Sequence, residues 1–390
     1  MKIIYLDPGQ ANGRGHNYAM VHEFDEELVR QRRHRVHHVL HRLGSASALP
    51  RLQGQVHPVI HIDGYARLQD ADIHDERRRD MLVRSVAMDL DKAPFSEADA
   101  VIMPTVYPLH LRALAENIAL PKDCRVILGM LLPCEFWNPR AESAQALAKW
   151  MADSINSLAR RSDLLVYSET GRYAFGHQFV STPTLLPPLA GTTAQLVQQL
   201  AAREHEELQP RPTLGFFGSP FTSKGFDLLA RTLERFGLAC QSPAVDVRVC
   251  LPPGHAAMCE RLNALGPWIK AESTDADNAT YLRSMSEVDI VWAFYDPQAY
   301  CNKMSGIVPE AISLGKPVLL AEGCDALQSF LEANAPGSFL MASYEDDALI
   351  DVLCLNGAAW HQLRRCAAAH ASLMQQMKSM QRYLAVCGVT

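Results

Sequence analysis

The segment VDIVWAFYDPQAYCNKMSGIVPEAISLGKPVLLAE, residues Val288 to Glu322, organises the reading of the whole chain. Its apolar opening, Val288 to Phe294, reads as a buried parallel strand, after which a loop of Tyr, Asp, Pro, Asn and Lys leads into a helix near Ser305. Open α/β sheets bind ligands in loops of this kind, at the carboxyl ends of strands. Ser305-Gly306 puts a small hydroxyl and an unobstructed backbone at the expected helix start, where unpaired N–H groups favour a phosphate. Glu310 follows one turn later, where it can accept hydrogen bonds from sugar or ribose hydroxyls. Gly315-Lys316-Pro317 stops the helix, and Val318 to Ala321 reads as the next strand.

Upstream, LGFFGSPFTSKGFDLL, Leu214 to Leu229, repeats the logic of strand, glycine turn and helix. Lys224 stands at the mouth of that helix, where its ammonium could meet a diphosphate as a point charge; an ordinary surface lysine is the alternative. The next strand, Asp246 to Leu251, ends in Pro252-Pro253-Gly254-His255, a loop suited to approach a nucleotide base.

The pattern Tyr300, Lys303, Ser305-Gly306, Pro309-Glu310-Ala311 and Gly315-Lys316-Pro317-Val318 resembles the donor-binding segment of GT-B glycosyltransferases, especially the large retaining group known as family 4. Leu214 to Leu229 resembles the glycine-then-Lys-Gly segment that opens the nucleotide-sugar half of those enzymes. The resemblance implies an α/β protein of two Rossmann-like, doubly wound parallel-sheet domains facing a cleft. It implies transfer of a sugar from a UDP- or GDP-sugar to a hydroxyl of a glycan, lipid or small-molecule acceptor, in glycan or glycoconjugate synthesis. Donor contacts would fall on Gly15, Gly218, Lys224, Tyr300, Asn302, Lys303, Ser305, Gly306 and Glu310, with His16, Lys224 and Glu310 as catalytic candidates. No metal and no cofactor are expected, because these enzymes neutralise the leaving group with Lys, Arg and a helix N-terminus. The pattern departs from the family at two points. The enzymes commonly carry two glutamates with seven residues between them, and here Glu310 fills the second position while the first is Asn302. The Arg that often precedes the Lys-Gly pair has no counterpart between Gly218 and Phe221. A neutral Asn can hydrogen-bond a sugar hydroxyl but cannot lend a carboxylate's support to a positive transition state.

A chain of 390 residues exceeds the size at which single cores stop growing. The expected division is 1–205 for an acceptor-side domain, 206–365 for the nucleotide-sugar domain, and 366–390 for a helix packing back on the first. Prolines 210 and 212 beside a charged segment mark the boundary. With 48% hydrophobic and 21% charged residues the composition is ordinary globular, and a net charge of -6 argues against general nucleic-acid binding. Ten cysteines without a Cys-x-x-Cys pair form neither a zinc pattern nor a disulfide framework, which fits reduced thiols in the cytoplasm. No stretch approaches the roughly 20 apolar residues of a membrane helix, and peripheral contact at the inner face of a membrane stays compatible.

The amino-terminal half starts with a strand, Lys2 to Leu6, and the turn DPGQANGRGHNYAM. Gly9, Gly13 and Gly15 allow close approach of a ligand, and His16 begins a helix. His16 could cap that helix, hydrogen-bond donor or acceptor, or act as a general base if the enzyme inverts. Glu23 to Leu43 is expected as one basic helix burying Val36, Val39, Leu40 and Leu43, with His34, His37, His38 and His41 on a solvated face. Further strands are expected at Val56 to Ile62, Ala100 to Met103, Arg125 to Leu132 and Leu164 to Tyr167. Strands alternating with helices in this way form a doubly wound parallel sheet. Asp70-Ala71-Asp72 and Asp275-Ala276-Asp277 spell a weak divalent-ion signal in a chain with 43 acidic residues. Two other readings use the same fold or a relative of it: a nucleotide-sugar epimerase or phosphorylase, and a noncatalytic two-lobed ligand binder.

Overall fold

Ile3, Ile4, Tyr5 and Leu6 are wholly buried, and successive residues serve opposite cores, as the alternation of side chains along a strand requires. Ile4, Leu6, Val101 and Met103 enter one core, while Ile3, Tyr5, Ala100 and Ile102 enter the other. Such a strand, covered by helices on both faces, shows in a sequence as an unbroken apolar run. The computed structural model describes residues 1–10, 15–43, 51–175, 178–202, 211–239, 243–274, 277–355 and 357–389. The chain divides into two units, one formed by Met1–Gly191 with Lys378–Thr390 and the other by Thr192–Met377.

The first unit holds a six-stranded sheet of β1 (Lys2–Asp7), β2 (Arg35–His41), β3 (Gln55–Ile60), β4 (Ala100–Met103), β5 (Arg125–Gly129) and β6 (Asp163–Tyr167). Every pairing is parallel and the spatial order is β3-β2-β1-β4-β5-β6. A short antiparallel hairpin, β7 (Arg172–Phe175) and β8 (Gln178–Ser181), follows. The second unit repeats the plan with β9 (Thr213–Phe217), β10 (Asp246–Leu251), β11 (Ile269–Ser273), β12 (Ile290–Ala293), β13 (Val318–Ala321) and β14 (Phe339–Ala342). Its order, β11-β10-β9-β12-β13-β14, is the same topology, again parallel throughout. The expected α/β class with two doubly wound parallel sheets is therefore the observed one. In each sheet the order reverses beside the first strand, between β1 and β4 and between β9 and β12, and such a switch point opens a crevice at the carboxyl edge.

The basic helix expected from Glu23 to Leu43 does not exist. A helix covers Gly15–Asp25 and continues as a π-helix over Glu26–Gln31; the chain then turns through Arg33, whose φ of 55° is left-handed, and enters β2. Val36, Val39 and Leu40 are buried as expected, but in a strand whose neighbours on both sides are strands. His37, His38 and His41 are buried with them, while His34 precedes the strand and is half-buried. His38 Nε2 lies 2.8 Å from Asp25 Oδ1, and His37 Nδ1 lies 2.9 Å from His57 Nε2. Apolar spacing alone does not separate a doubly covered strand from a helix.

The carboxyl-terminal helical region is likewise two helices. Gly357–Met377 belongs to the second unit, where Gln375 donates to the Ser313 carbonyl at 2.8 Å. Met380–Cys387, capped by Ser379, belongs to the first and places Tyr383, Leu384 and Cys387 in the core beneath β1. The Tyr383 hydroxyl donates to that of Tyr167 at 2.8 Å. Among the described residues no helix is long and apolar enough to cross a membrane.

Burial sets a pH limit on the first unit. It drives the imidazole of His110 down to about 3 and that of His37 to about 4. An unfolded histidine, titrating near 6.5, takes up its proton first, so stability contributed by the neutral buried forms is present above about pH 6.5 and is lost as pH falls from there toward these folded values. Urea midpoints should fall between about pH 6.5 and pH 5, and His110→Leu should flatten that slope. An unchanged slope in the variant would remove His110 as a cause.

Candidate functional site

The segment that opens the sequence analysis folds as strand, turn, helix and strand. β12 ends at Ala293; Asp296 then caps the short helix Pro297–Tyr300 by accepting from the Gln298 N–H at 2.9 Å. A second helix, Ile307–Ser313, leads to Gly315 at a φ of 73° and on to β13. Beside β12, β9 delivers Gly218 and the turn to Lys224. Both loops thus leave the carboxyl edge at the second sheet's switch point.

Three contacts hold them together. The Trp292 indole donates to the Lys224 carbonyl at 2.8 Å, and Asp296 N–H donates to the Ser223 carbonyl at 3.1 Å. Gly225, at a φ of 70°, lies so close to the Phe294 carbonyl that a β-carbon would run into it. The close approach aims Lys224 back at Gly218, whose open backbone at a φ of 111° faces the ammonium, with Nζ 3.0 Å from where a β-carbon would stand.

Around this ammonium the structure gathers most of the expected donor residues. Burial lowers the Lys224 pKa, the charge of Lys303 lowers it further, and Glu310 opposes both. Lys303 places its own Nζ 4.8 Å above the Tyr300 ring, which stacks on Tyr295 at 4.4 Å between centroids. The hydroxyls of Tyr295 and Ser305 lie 3.2 Å apart, and Glu310 Oε1 is 4.0 Å from the position of a β-carbon on Gly306. Asn302 stands exposed on the same turn. Among the described residues no carboxylate pairs with Lys224, which leaves a partly buried cation facing an open glycine.

Sequence reasoning missed Tyr281. Its hydroxyl donates to Glu310 Oε2 at 2.8 Å, and its half-buried ring packs edge-on against Phe217 at the end of β9. The residue comes from the helix Asn278–Ser286, and no local motif marks it. The hydrogen bond fixes Glu310 and leaves Oε1 as its other acceptor.

The remaining candidates belong to the first unit or to structure. Gly15 opens the helix Gly15–Asp25 and His16 is its second residue, but the His16 side chain lies outside the described residues, as does Gly13. Asp70 binds Arg140, Ser143 and Asn138, while Asp72 binds Arg78 and the Gln69 N–H, so this Asp-x-Asp start holds protein donors. Asp275 and Ala276 lie outside the described residues. Among the described residues no group of three His, Cys, Asp or Glu could hold a metal ion.

No protein-family model matches the chain, and no curated protein matches it in sequence. Solved structures do match. An alpha,alpha-trehalose-phosphate synthase (UDP-forming) from Burkholderia xenovorans, in complex with glucose-6-phosphate, is 13% identical with a TM-score of 0.60 over 100% of both chains. HepE of Anabaena, in complex with UDP and glucose, is 16% identical with a TM-score of 0.59 over 100% of both chains. The spinosyn rhamnosyltransferase SpnG, complexed with spinosyn aglycone, is 13% identical with a TM-score of 0.55, covering 99% of this chain and 100% of its own. At such identities the likeness defines the fold, which is that of GT-B glycosyltransferases of several families.

Gly225→Ala should cost about 2 kcal/mol or more, because it adds both the strain of the left-handed backbone and a collision with a carbonyl. Urea unfolding followed by tryptophan fluorescence checks this. A loss below about 0.5 kcal/mol would show that the loop need not approach β12 so closely.

Proposed function

We propose that this protein is a glycosyltransferase that moves a sugar from a nucleotide-sugar donor to a hydroxyl acceptor. The observation that carries the reading is the partly buried Lys224 ammonium, unpaired by any carboxylate among the described residues, with a second ammonium at Lys303 beside it. A group in that state calls for an anion, and two ammonium groups match the two negative charges of a sugar diphosphate. Gly218 lets an oxygen reach the backbone, and Ser305 with Gly306 offers a hydroxyl and N–H groups to the same phosphates. Glu310, held by Tyr281, takes the ribose hydroxyls through its other oxygen. Tyr300, Asn302 and Lys303 face the sugar or the phosphates, while Gly15 and His16 of the first unit serve donor or acceptor.

The chemistry required of these side chains is electrostatic. Departure of the nucleoside diphosphate is eased by lysines already in place, Lys224 among them already partly desolvated. A metal is not needed for that step. The resemblance to family 4 supports the choice of class, and the presence of UDP and glucose in HepE, glucose-6-phosphate in the synthase and an aglycone in SpnG shows what proteins of this fold hold. Retention of configuration, which that resemblance implies, is associated with a glutamate where this chain has Asn302. Work on a glycan or glycoconjugate at the cytoplasmic side, with peripheral contact to a membrane, is the setting such a reaction would have.

A thermal-shift screen of UDP, GDP, ADP and their sugars should raise the melting temperature with one nucleoside diphosphate above the others. Lys224→Ala and Glu310→Ala should each weaken that ligand by roughly tenfold to a hundredfold, the value of one charge-assisted hydrogen bond. Two variants that bind like the parent would remove the site assignment.

The depressed Lys224 pKa adds a second expectation. Above it the free lysine is neutral and a bound diphosphate restores the proton, so affinity should fall with rising pH before ordinary lysines titrate. Calorimetry in two buffers of different ionisation enthalpy should show proton uptake on binding in the alkaline range. Buffer-independent heats there would count against a lysine–diphosphate contact.

A further inference from the structure

The first sheet has its own switch point, between β1 and β4, and the residues after β3 run across it as a strap. Gly64 N–H donates to the Pro8 carbonyl after β1 at 3.2 Å, and a β-carbon on Gly64 would stand 2.6 Å from the ring of Tyr107, which follows β4. From the turn after β5, the Trp137 indole donates to the Gly64 carbonyl at 3.0 Å and Asn138 Nδ2 to the Leu68 carbonyl at 3.0 Å, while Leu68 N–H donates to the Trp137 carbonyl at 3.1 Å. Midway, the Tyr65 hydroxyl donates to Asn17 Oδ1 at 2.8 Å, and Asn17 Nδ2 reaches the Tyr107 hydroxyl at 2.9 Å and the buried Asp7 at 2.8 Å. The strap is thereby pinned to residues that follow three other strands, β1, β4 and β5.

Arg67 stands on this fixed backbone and is exposed. Its guanidinium lies over the Phe136 ring at 4.7 Å, a contact that occupies the planar face and leaves the N–H fork open. Tyr65 meets the same ring edge-on at 5.9 Å. Tyr65, Leu132 and Phe136 are half-buried and pack against the first core, so they form an apolar floor at the carboxyl edge that water still reaches. The carboxylates nearest to Arg67 along the chain are engaged elsewhere. Asp63 accepts from Tyr65 N–H at 2.9 Å, and Asp70 binds Arg140, Ser143 and Asn138. Among the described residues Arg67 has no ion pair and no hydrogen bond, and Glu135, exposed on the turn before Phe136, does not pair with it. A guanidinium already held on a ring gives up little rotamer freedom when an oxyanion meets its fork.

We propose that this edge of the first unit is a subsite for an acceptor that carries an oxyanion, a phosphate or a carboxylate. The Arg67 fork takes the charged group, and Tyr65, Leu132 and Phe136 lie under the apolar part of the same molecule. The inference rests on the transferase reading above, which leaves the chemistry of the acceptor open, and it uses residues of the first unit alone. A guanidinium offers two parallel N–H bonds that match either anion. An apolar surface supplies the contact and one charged group fixes the orientation, the division of labour common in small-molecule sites, and the carboxyl edge at a switch point is where an open parallel sheet places them.

The experiment is calorimetric titration of the full chain with D-glucose, glucose 6-phosphate, glucuronate and inorganic phosphate at one ionic strength. Glucose 6-phosphate or glucuronate should bind about tenfold or more tighter than glucose and than inorganic phosphate, and the better of the two identifies the anion. Arg67→Gln should abolish that advantage. Arg67→Lys, which keeps the charge and loses the fork, should restore only part of it, and Phe136→Leu, which keeps the charge and removes the ring beneath it, should weaken the anionic sugar several-fold. Arg67 is exposed, so its variants should fold, and each should bind UDP, GDP or ADP as the parent does, because Lys224 and its neighbours belong to the second unit.

Parental affinity for the anionic sugars in Arg67→Gln, glucose bound as tightly as its charged counterparts, or inorganic phosphate bound as tightly as glucose 6-phosphate each overturn the proposal. A parent that takes a nucleoside diphosphate and none of the four compounds overturns the proposal and leaves the transferase reading in place. A parent that holds an anionic sugar through Arg67 and binds none of UDP, GDP and ADP supports the subsite and overturns the transferase reading.

Discussion

A parallel sheet whose strand order reverses imposes one constraint that the rest of this protein obeys. The connections after the two central strands leave toward opposite faces, so their first residues part and the carboxyl edge stays uncovered at that point. In the second unit β9 and β12 flank the opening, and Lys224 and Tyr295 arrive there from the two sides. In the first unit β1 and β4 flank it, and Asp7 and Tyr107 arrive in the same way. The apolar strands behind these openings have no role in recognition, yet they decide which residues can meet.

Desolvation acts at both openings with opposite sign and the same result. It lowers the pKa of a lysine and raises that of an aspartate, in each case moving the group toward neutrality. A cation made less comfortable without a partner gains most from an anion. Neither effect could be created at the surface, where water would supply the missing interactions.

The second sheet was the more legible half of the sequence for a physical reason. Ile290–Ala293 and Val318–Ala321 are buried on both faces, so they stand out as apolar runs, and Gly315-Lys316-Pro317 breaks the helix between them by backbone chemistry alone. The residues gathered around Lys224 stood out as candidates because they crowd into two short stretches, Gly218 to Lys224 and Tyr300 to Glu310. The first unit hides its logic better. β2 carries His37, His38 and His41 inside the protein, where the His57 ring, the Asp25 carboxylate and the His61 carbonyl, brought up by tertiary structure, partner their rings. Tyr281 and the Asp7, Asn17, Tyr65 and Tyr107 cluster escaped because their members are far apart in sequence and meet only through the order of the strands.

The helix Met380–Cys387 supplies Tyr383, Leu384 and Cys387 to the same core as Ile3 and Tyr5. During synthesis on a ribosome, the amino-terminal sheet will therefore emerge with only Met20, Val21, Phe24 and Leu28 of its own helix on this face, and the part that Met380–Cys387 covers will wait until the whole of the second unit is translated. Loss of residues 380–387 would leave that part of the face without its cover.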